Sequence, residues 1–168
     1  MISEDEAARA LYAEAWDHHM NGCHDLARVG YLRAARIADA AGSVDVRADA
    51  LEGLIRLDCS EQRYEAALSR VDELIGLFGS LGKTAKRASL LEGKAEWLTR
   101  TQQWLDARIA WRHAKTALAA EGRTSDVARC EVRIAEVSER IQKAARADRL
   151  AAGPDIPRRP LFGRRWPR

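Results

Sequence analysis

Three glycines, Gly42, Gly82 and Gly122, stand 40 residues apart, and this spacing constrains the fold more than any other feature of the chain. A fixed period of that size marks a repeated supersecondary unit, which buries its apolar face only by stacking on its neighbours. Other columns keep the same step. Ala27, Ala67 and Ala107 form one, Leu11, Leu51 and Leu91 another, and Ala8, Ala48, Ala88 and Ala128 a fourfold series. Rings fill a column as His24, Tyr64 and Trp104, and a further one holds Tyr31, Val71 and Trp111.

Inside each unit the apolar residues recur at helical spacing, as in Ala48, Leu51 and Ile55, then Ala67, Val71, Leu74 and Phe78. No proline precedes Pro154, and only 6% of residues are aromatic, so the chain reads as all-α. Ser3 and Glu6 have capping-box spacing, Asn21-Gly22 ends the first helix, Ser60 opens the helix containing Tyr64 to Phe78, and the three periodic glycines close the second helix of each unit. These signals predict helices at about 3–21, 24–41, 44–59, 61–80, 84–100, 103–121 and 124–147. The expected domain spans residues 1–150 as repeats at about 3–42, 43–82 and 83–122 with a capping helix at 124–147, and a tail at 151–168 follows. A four-helix bundle with extra helices is the structural rival, and the strict step favours stacking.

The arrangement of small and large residues resembles the tetratricopeptide repeat family. That family places a small residue in the first helix of a unit and two small residues around a large one in the second. The matching positions are Ala15, Ala27, Tyr31 and Ala34; Ile55, Ala67, Val71 and Leu74; and Ala95, Ala107, Trp111 and Ala114. The chain departs from the family in its longer period, in the missing helix-ending proline and in Leu74. The resemblance implies a right-handed solenoid whose first helices line a concave groove for a protein or peptide. Carried to this sequence, the groove holds Arg9, Tyr12, Trp16 and His19, then Asp49, Glu52 and Arg56, then Glu92, Glu96 and Arg100.

Two readings of those residues compete. In one, Tyr12 and Trp16 anchor an apolar side chain of the partner while the carboxylates meet its basic groups. In the other, Trp16 packs inside the first hairpin, and Glu52 with Arg56, Glu96 with Arg100 and Glu136 with Arg140 are ordinary i, i+4 helix pairs. No Asn stands among the groove positions, so no clamp for a terminal carboxylate is expected.

His18, His19, Cys23 and His24 are soft ligands near one turn, but they match no zinc spacing, and the repeat puts Asp58 and Leu98 where His18 stands. No metal or cofactor is expected. Phosphate-cradling loops, nucleophile elbows and HExxH helices are lacking, so the chain is expected not to be an enzyme. Trp97, Trp104 and Trp111 read as core. Cys23, Cys59 and Cys130 are odd in number and without CxxC spacing, which predicts reduced, partly buried thiols. An acidic start and no long apolar run lead to the expectation of a cytoplasmic protein, and the abundance of Ala and Arg suggests a bacterial genome.

The formal charge of +3 is uneven, because Arg158, Arg159, Arg164, Arg165 and Arg168 crowd the tail. Interleaved with Phe162 and Trp166 and broken by four prolines, they predict an extended, flexible segment. The tail supplies the alternative function, a nucleic-acid-associated protein gripping phosphate through Arg158, Arg159, Arg164 and Arg165 and stacking bases on Phe162 and Trp166. The favoured function is a non-catalytic protein- or peptide-binding module, and a homo-oligomer stays open.

Overall fold

A computed structural model of the chain describes residues 3–151, which form seven helices and no strand among the described residues. In chain order they are α1 (Glu4–Met20), α2 (His24–Ala40), α3 (Val44–Ser60), α4 (Tyr64–Ser80), α5 (Thr84–Arg100), α6 (Trp104–Ala120) and α7 (Thr124–Ala151). Each of the first six has 17 residues and is followed by a three-residue reversal, so the backbone repeats every 20 residues and the sequence every 40. Neighbouring helices pack in antiparallel pairs, α1 also touches α3, and the pairs Lys86–Glu52 and Arg129–Glu92 join α3 to α5 and α5 to α7, so the first helices of successive units share a face. The result is a helical-repeat array of three hairpins ended by α7.

Every reversal uses the same backbone device. The residue after each helix cap sits in the left-handed region, at Gly22, Gly42, Gln62, Gly82, Gln102 and Gly122. The next amide then donates back to a carbonyl five residues earlier, as in Cys23 to His18 and Arg63 to Asp58, both at 2.8 Å. This is the Schellman closure, and it satisfies helix-end carbonyls that would otherwise be orphaned. Ser3 and Glu6 form the reciprocal capping box at the start of α1. Ser60, by contrast, does not open α4. It is the last residue of α3, its hydroxyl donates to the Leu57 carbonyl at 2.8 Å, and α4 begins at Tyr64. The preceding reversal centred on Gln62 carried no glycine to announce it.

Ala8, Ala15, Ala27, Ala48, Ala67, Ala88, Ala95 and Ala107 are all fully buried. Small side chains at these crossings let paired helices approach, and the large residue at the column of Tyr31, Val71 and Trp111 fills the adjacent space. Two large apolar clusters result, beside a small one of Ala8, Ala38 and Val46. One joins α1 to α4 around Tyr31, Leu54, Leu57 and Leu74, and the other joins α5 to α7 around Trp111, Leu118, Cys130 and Val137. Leu68 and Ile75 of α4 pack against both. Cys130 is buried and Cys59 half-buried as expected, whereas Cys23 is exposed because it is the reversal residue at the start of α2.

Candidate functional site

The face formed by the first helices α1, α3, α5 and α7 carries all ten groove positions named from the sequence, but the charged ones are largely engaged with one another. Arg9 bridges Asp5 and Asp45, both at 2.9 Å, and thereby ties α1 to α3. Glu52 accepts from Arg56 at 3.0 Å and from Lys86 at 2.7 Å, tying α3 to α5. Glu92 accepts from Arg129 at 2.9 Å, and Glu96 meets Arg100 at 3.1 Å and Arg133 at 3.3 Å, tying α5 to α7. The ladder of ion pairs runs across the whole face, and screening by solvent keeps its exposed rungs weak. The i, i+4 pairs Glu52–Arg56 and Glu96–Arg100 form as anticipated, while Glu136 turns to Arg133. Asp49 is half-buried.

At the α1 end the rings are half-buried and part of the first apolar cluster. Tyr12 tilts against Tyr31 at 5.8 Å, and the Arg56 guanidinium lies 5.3 Å over the Trp16 ring. Burial pushes the Tyr12 hydroxyl above its ordinary range and the Tyr31 hydroxyl up to about 12. His19 sits 3.2 Å from the Tyr31 hydroxyl, and burial holds its ring below the usual histidine range, with His24 and Arg56 adding to the effect.

The repeat explains His19. Thr99, two units later, accepts the indole N–H of Trp111 at 3.0 Å, so positions 19 and 99 both serve the polar atom of the buried ring opposite. In the middle unit the ring becomes Val71 and the partner becomes Cys59, and neither needs a hydrogen bond. His19 therefore belongs to the packing of the first hairpin as much as to its surface. The remaining soft ligands are dispersed in the same manner: His24 lies 3.1 Å from Glu61, His18 is 3.7 Å from Glu14, and no group of three or more metal-ligating side chains is found among the described residues.

A concavity walled largely by apolar side chains lies one unit further along, between α3 and α5. A slot of about 510 Å³ has Ile55, Leu74, Phe78, Leu90 and Trp97 as its apolar walls. Gly93 makes the room, since a Cβ there would stand 3.2 Å from the Trp97 ring. Arg56, Lys86 and Arg123 line the slot with Glu52, and the Lys86 ammonium lies 5.4 Å over the Phe78 ring. Arg123 also turns to Asp126, whose carboxyl it holds below the ordinary range. Arg56 and Lys86 share one carboxylate, so positive charge is in excess. The Cys59 thiol at the slot wall is pushed up to about 11 by burial, with Asp58 adding to the effect, and stays protonated at neutral pH.

Sequence reasoning found Glu52 and Arg56 but missed Phe78, Lys86, Leu90 and Trp97. Trp97 was read as core alone. It packs against the first cluster and also borders the slot. The signal was present as Gly93, a glycine inside a helix four residues before a tryptophan. Arg158, Arg159, Phe162, Arg164, Arg165 and Trp166, the tail residues assigned to nucleic acid, lie outside the described residues.

A second missed feature is a buried carboxylate. Asp58 is fully buried, accepts from Arg28 of α2, accepts from Arg70 of α4 at 2.7 Å, and has Arg63 at 3.8 Å. Arg28 also reaches Glu61 at 2.7 Å. This cluster joins three helices behind the first-helix face and plays a structural part.

No helix is long and apolar enough to cross a membrane among the described residues. No protein-family model matches the sequence, and no curated protein matches it. Among solved structures, aspartyl phosphate phosphatase F from Bacillus subtilis is similar, with a TM-score of 0.62 at 11% identity over 89% of this chain. The chain spans 39% of that protein's length. At this identity the likeness extends to the fold, an all-helical repeat array, and not to activity.

Proposed function

We propose that the chain is a tetratricopeptide-like module that binds a protein or peptide and performs no catalysis, taking one large apolar side chain of its partner into the slot between α3 and α5. The observation that carries this reading is the slot itself: five apolar side chains around about 510 Å³, opening on the face that the first helices share. A volume of that order accepts one or two side chains of a peptide, and a desolvated aromatic or aliphatic anchor supplies most of the affinity in such contacts. The excess of positive charge from Arg56 and Lys86 favours an acidic residue beside the anchor. Tyr12 and Trp16 extend the same face towards α1, where they offer a second, shallower contact.

A displayed peptide library selected against the protein tests this. Selected peptides are expected to share a large apolar residue next to Asp or Glu. They should lose at least about tenfold in affinity, or 1.4 kcal/mol, on the Leu90→Arg variant at unchanged helicity. Peptides that bind that variant as well as the original protein would place recognition elsewhere.

A further inference from the structure

The last helix departs from the pattern of the other six in length and in the design of its outer face. α7 has 28 residues where the others have 17, so it runs 11 residues, about 16 Å at 1.5 Å per residue, past the length of the other helices, with Ile141 at the start of this extension still packed on the second apolar cluster. Val127, Cys130, Ile134, Val137 and Ile141 face the second apolar cluster. At about 100° per residue, the opposite side of the helix carries Val132, Glu136, Glu139, Lys143, Arg146 and Leu150, and all six are exposed. Val132 is 58% accessible and Leu150 83%, so each end of this stripe presents an uncovered aliphatic side chain.

These six residues follow alternating steps of four and three, the spacing of a coiled-coil seam. Their order is apolar, acid, acid, base, base, apolar. It is also symmetric about Ile141: Val132 and Leu150 stand nine residues to either side, Glu136 and Arg146 five, and Glu139 and Lys143 two. An antiparallel copy of the same helix therefore sets every acid against a base and each apolar end against the other.

We propose that α7 is a self-association surface, on which a second copy of this chain docks antiparallel about a two-fold axis near Ile141. Val132 then meets Leu150 of the second copy, Glu136 meets its Arg146, and Glu139 its Lys143. The interface is isologous, as a two-fold dimer requires. A polar outer face alone is what the end of a repeat array needs for solubility. That need explains neither the extra turns nor the mirrored charge order, and a second copy accounts for both. Beside the acidic half, Thr99, Trp104, Glu136, Glu139, Arg140 and Lys143 border a cleft of about 580 Å³, which gives the incoming helix lateral room. The surface is separate from the slot between α3 and α5, so the two readings stand or fall independently.

The test is charge exchange read by sedimentation equilibrium on the full chain. The original protein is expected to show a reversible monomer–dimer equilibrium, rising from 18.7 kDa towards twice that mass with concentration. Dissociation should strengthen at least about tenfold between low salt and ~0.5 M salt, because the central contacts are exposed ion pairs. The variant Glu136→Arg with Glu139→Lys and the variant Lys143→Glu with Arg146→Glu each give a seam of one sign and should be monomeric. Mixed in equal amounts, they should form a heterodimer tighter than the original dimer. Circular dichroism separates loss of helix from loss of association, and the mixing arm is read only against folded partners of known helicity. A monomer at all concentrations, a dimer indifferent to either charge reversal, or no heterodimer on mixing overturns the proposal.

Discussion

At the residue scale the most informative positions are those where the repeat holds the backbone fixed and varies the side chain. Six reversals share one left-handed residue, yet only four are glycine, and Gln62 and Gln102 hold φ of 59° with a side chain attached. A non-glycine residue in this region is strained by about 1 kcal/mol, part of which returns because glycine is freer in the unfolded chain. Gln62→Gly is therefore expected to raise stability by about 0.5 kcal/mol, whereas Gly82→Ala lowers it by about 1 kcal/mol, both read as shifts of urea midpoint at constant slope. Equal signs for the two would show that side-chain contacts at the reversals outweigh backbone strain. His19 gives a pH-dependent counterpart. Burial lowers its pKa in the folded chain, so between that value and the unfolded value near 6.5 the unfolded state binds more protons. Stability contributed by neutral His19 is complete above pH 6.5 and is lost as the pH falls through the folded value. Replacing His19 by Gln should flatten the loss of melting temperature on acidification from pH 7 towards 5, and an unchanged slope would assign that loss to the paired carboxylates instead.

At the element scale the periodic alanines made the helix pairs legible, because a small residue at fixed phase in every unit has few causes other than close approach. Ala67 and Ala107 are fully buried at these crossings, so Ala67→Trp or Ala107→Trp should each overpack a hairpin by about 1–3 kcal/mol, seen in thermal midpoints. The joints between units were not legible, because there the same register is filled by opposite chemistries. At the first joint Arg28, Asp58 and Arg70 meet; 40 residues later the same places hold Leu68, Leu98 and Ala110. One joint is ionic. The other is apolar and leaves a cleft of about 610 Å³ against α4, α5 and α6. A period search sees the glycines and alanines that the backbone demands, but not which of several side-chain sets closes a joint. The slot was hidden for a related reason, since its walls come from three helices and only the first-helix positions could be transferred. Removing the central charge should be costly: Asp58→Asn leaves two arginines facing each other and is expected to lower stability by about 3 kcal/mol. Copying the second joint into the first, with Arg28→Leu, Asp58→Leu and Arg70→Ala together, should cost much less than the sum of the single changes. Additive losses in denaturant unfolding would show that the three side chains do not act as a unit.

At the scale of the whole molecule the array is one stack with two large cores, and the boundary between them is the α4–α5 seam. Leu68 and Ile75 are the apolar side chains that belong to both clusters, and the seam is hollowed on one side by the slot and on the other by the cleft. Repeat arrays open where nearest-neighbour coupling is weakest, because each unit is stabilised only by the units that it touches. The four helices before the seam include α3, whose nine buried residues make it the most enclosed helix among the described residues. The three after it depend on α7, which is covered on one side alone and has two buried residues. Native-state hydrogen exchange should therefore show α5, α6 and α7 exchanging together through a partial opening, while the amides of α3 exchange only by global unfolding. Truncating the bridge with Leu68→Ala and Ile75→Ala should lower the opening free energy of α5–α7 by about 1–3 kcal/mol and change the local protection of α1 and α2 far less. The consequence for function is direct, since the slot spans this seam: a ligand that grips α3 and α5 at once binds only the closed form. A saturating slot peptide should accordingly raise the α5–α7 opening free energy in proportion to the logarithm of its concentration. Uniform protection across all helices, with and without the bridge, would instead make the array a single cooperative unit and remove the seam as a point of control.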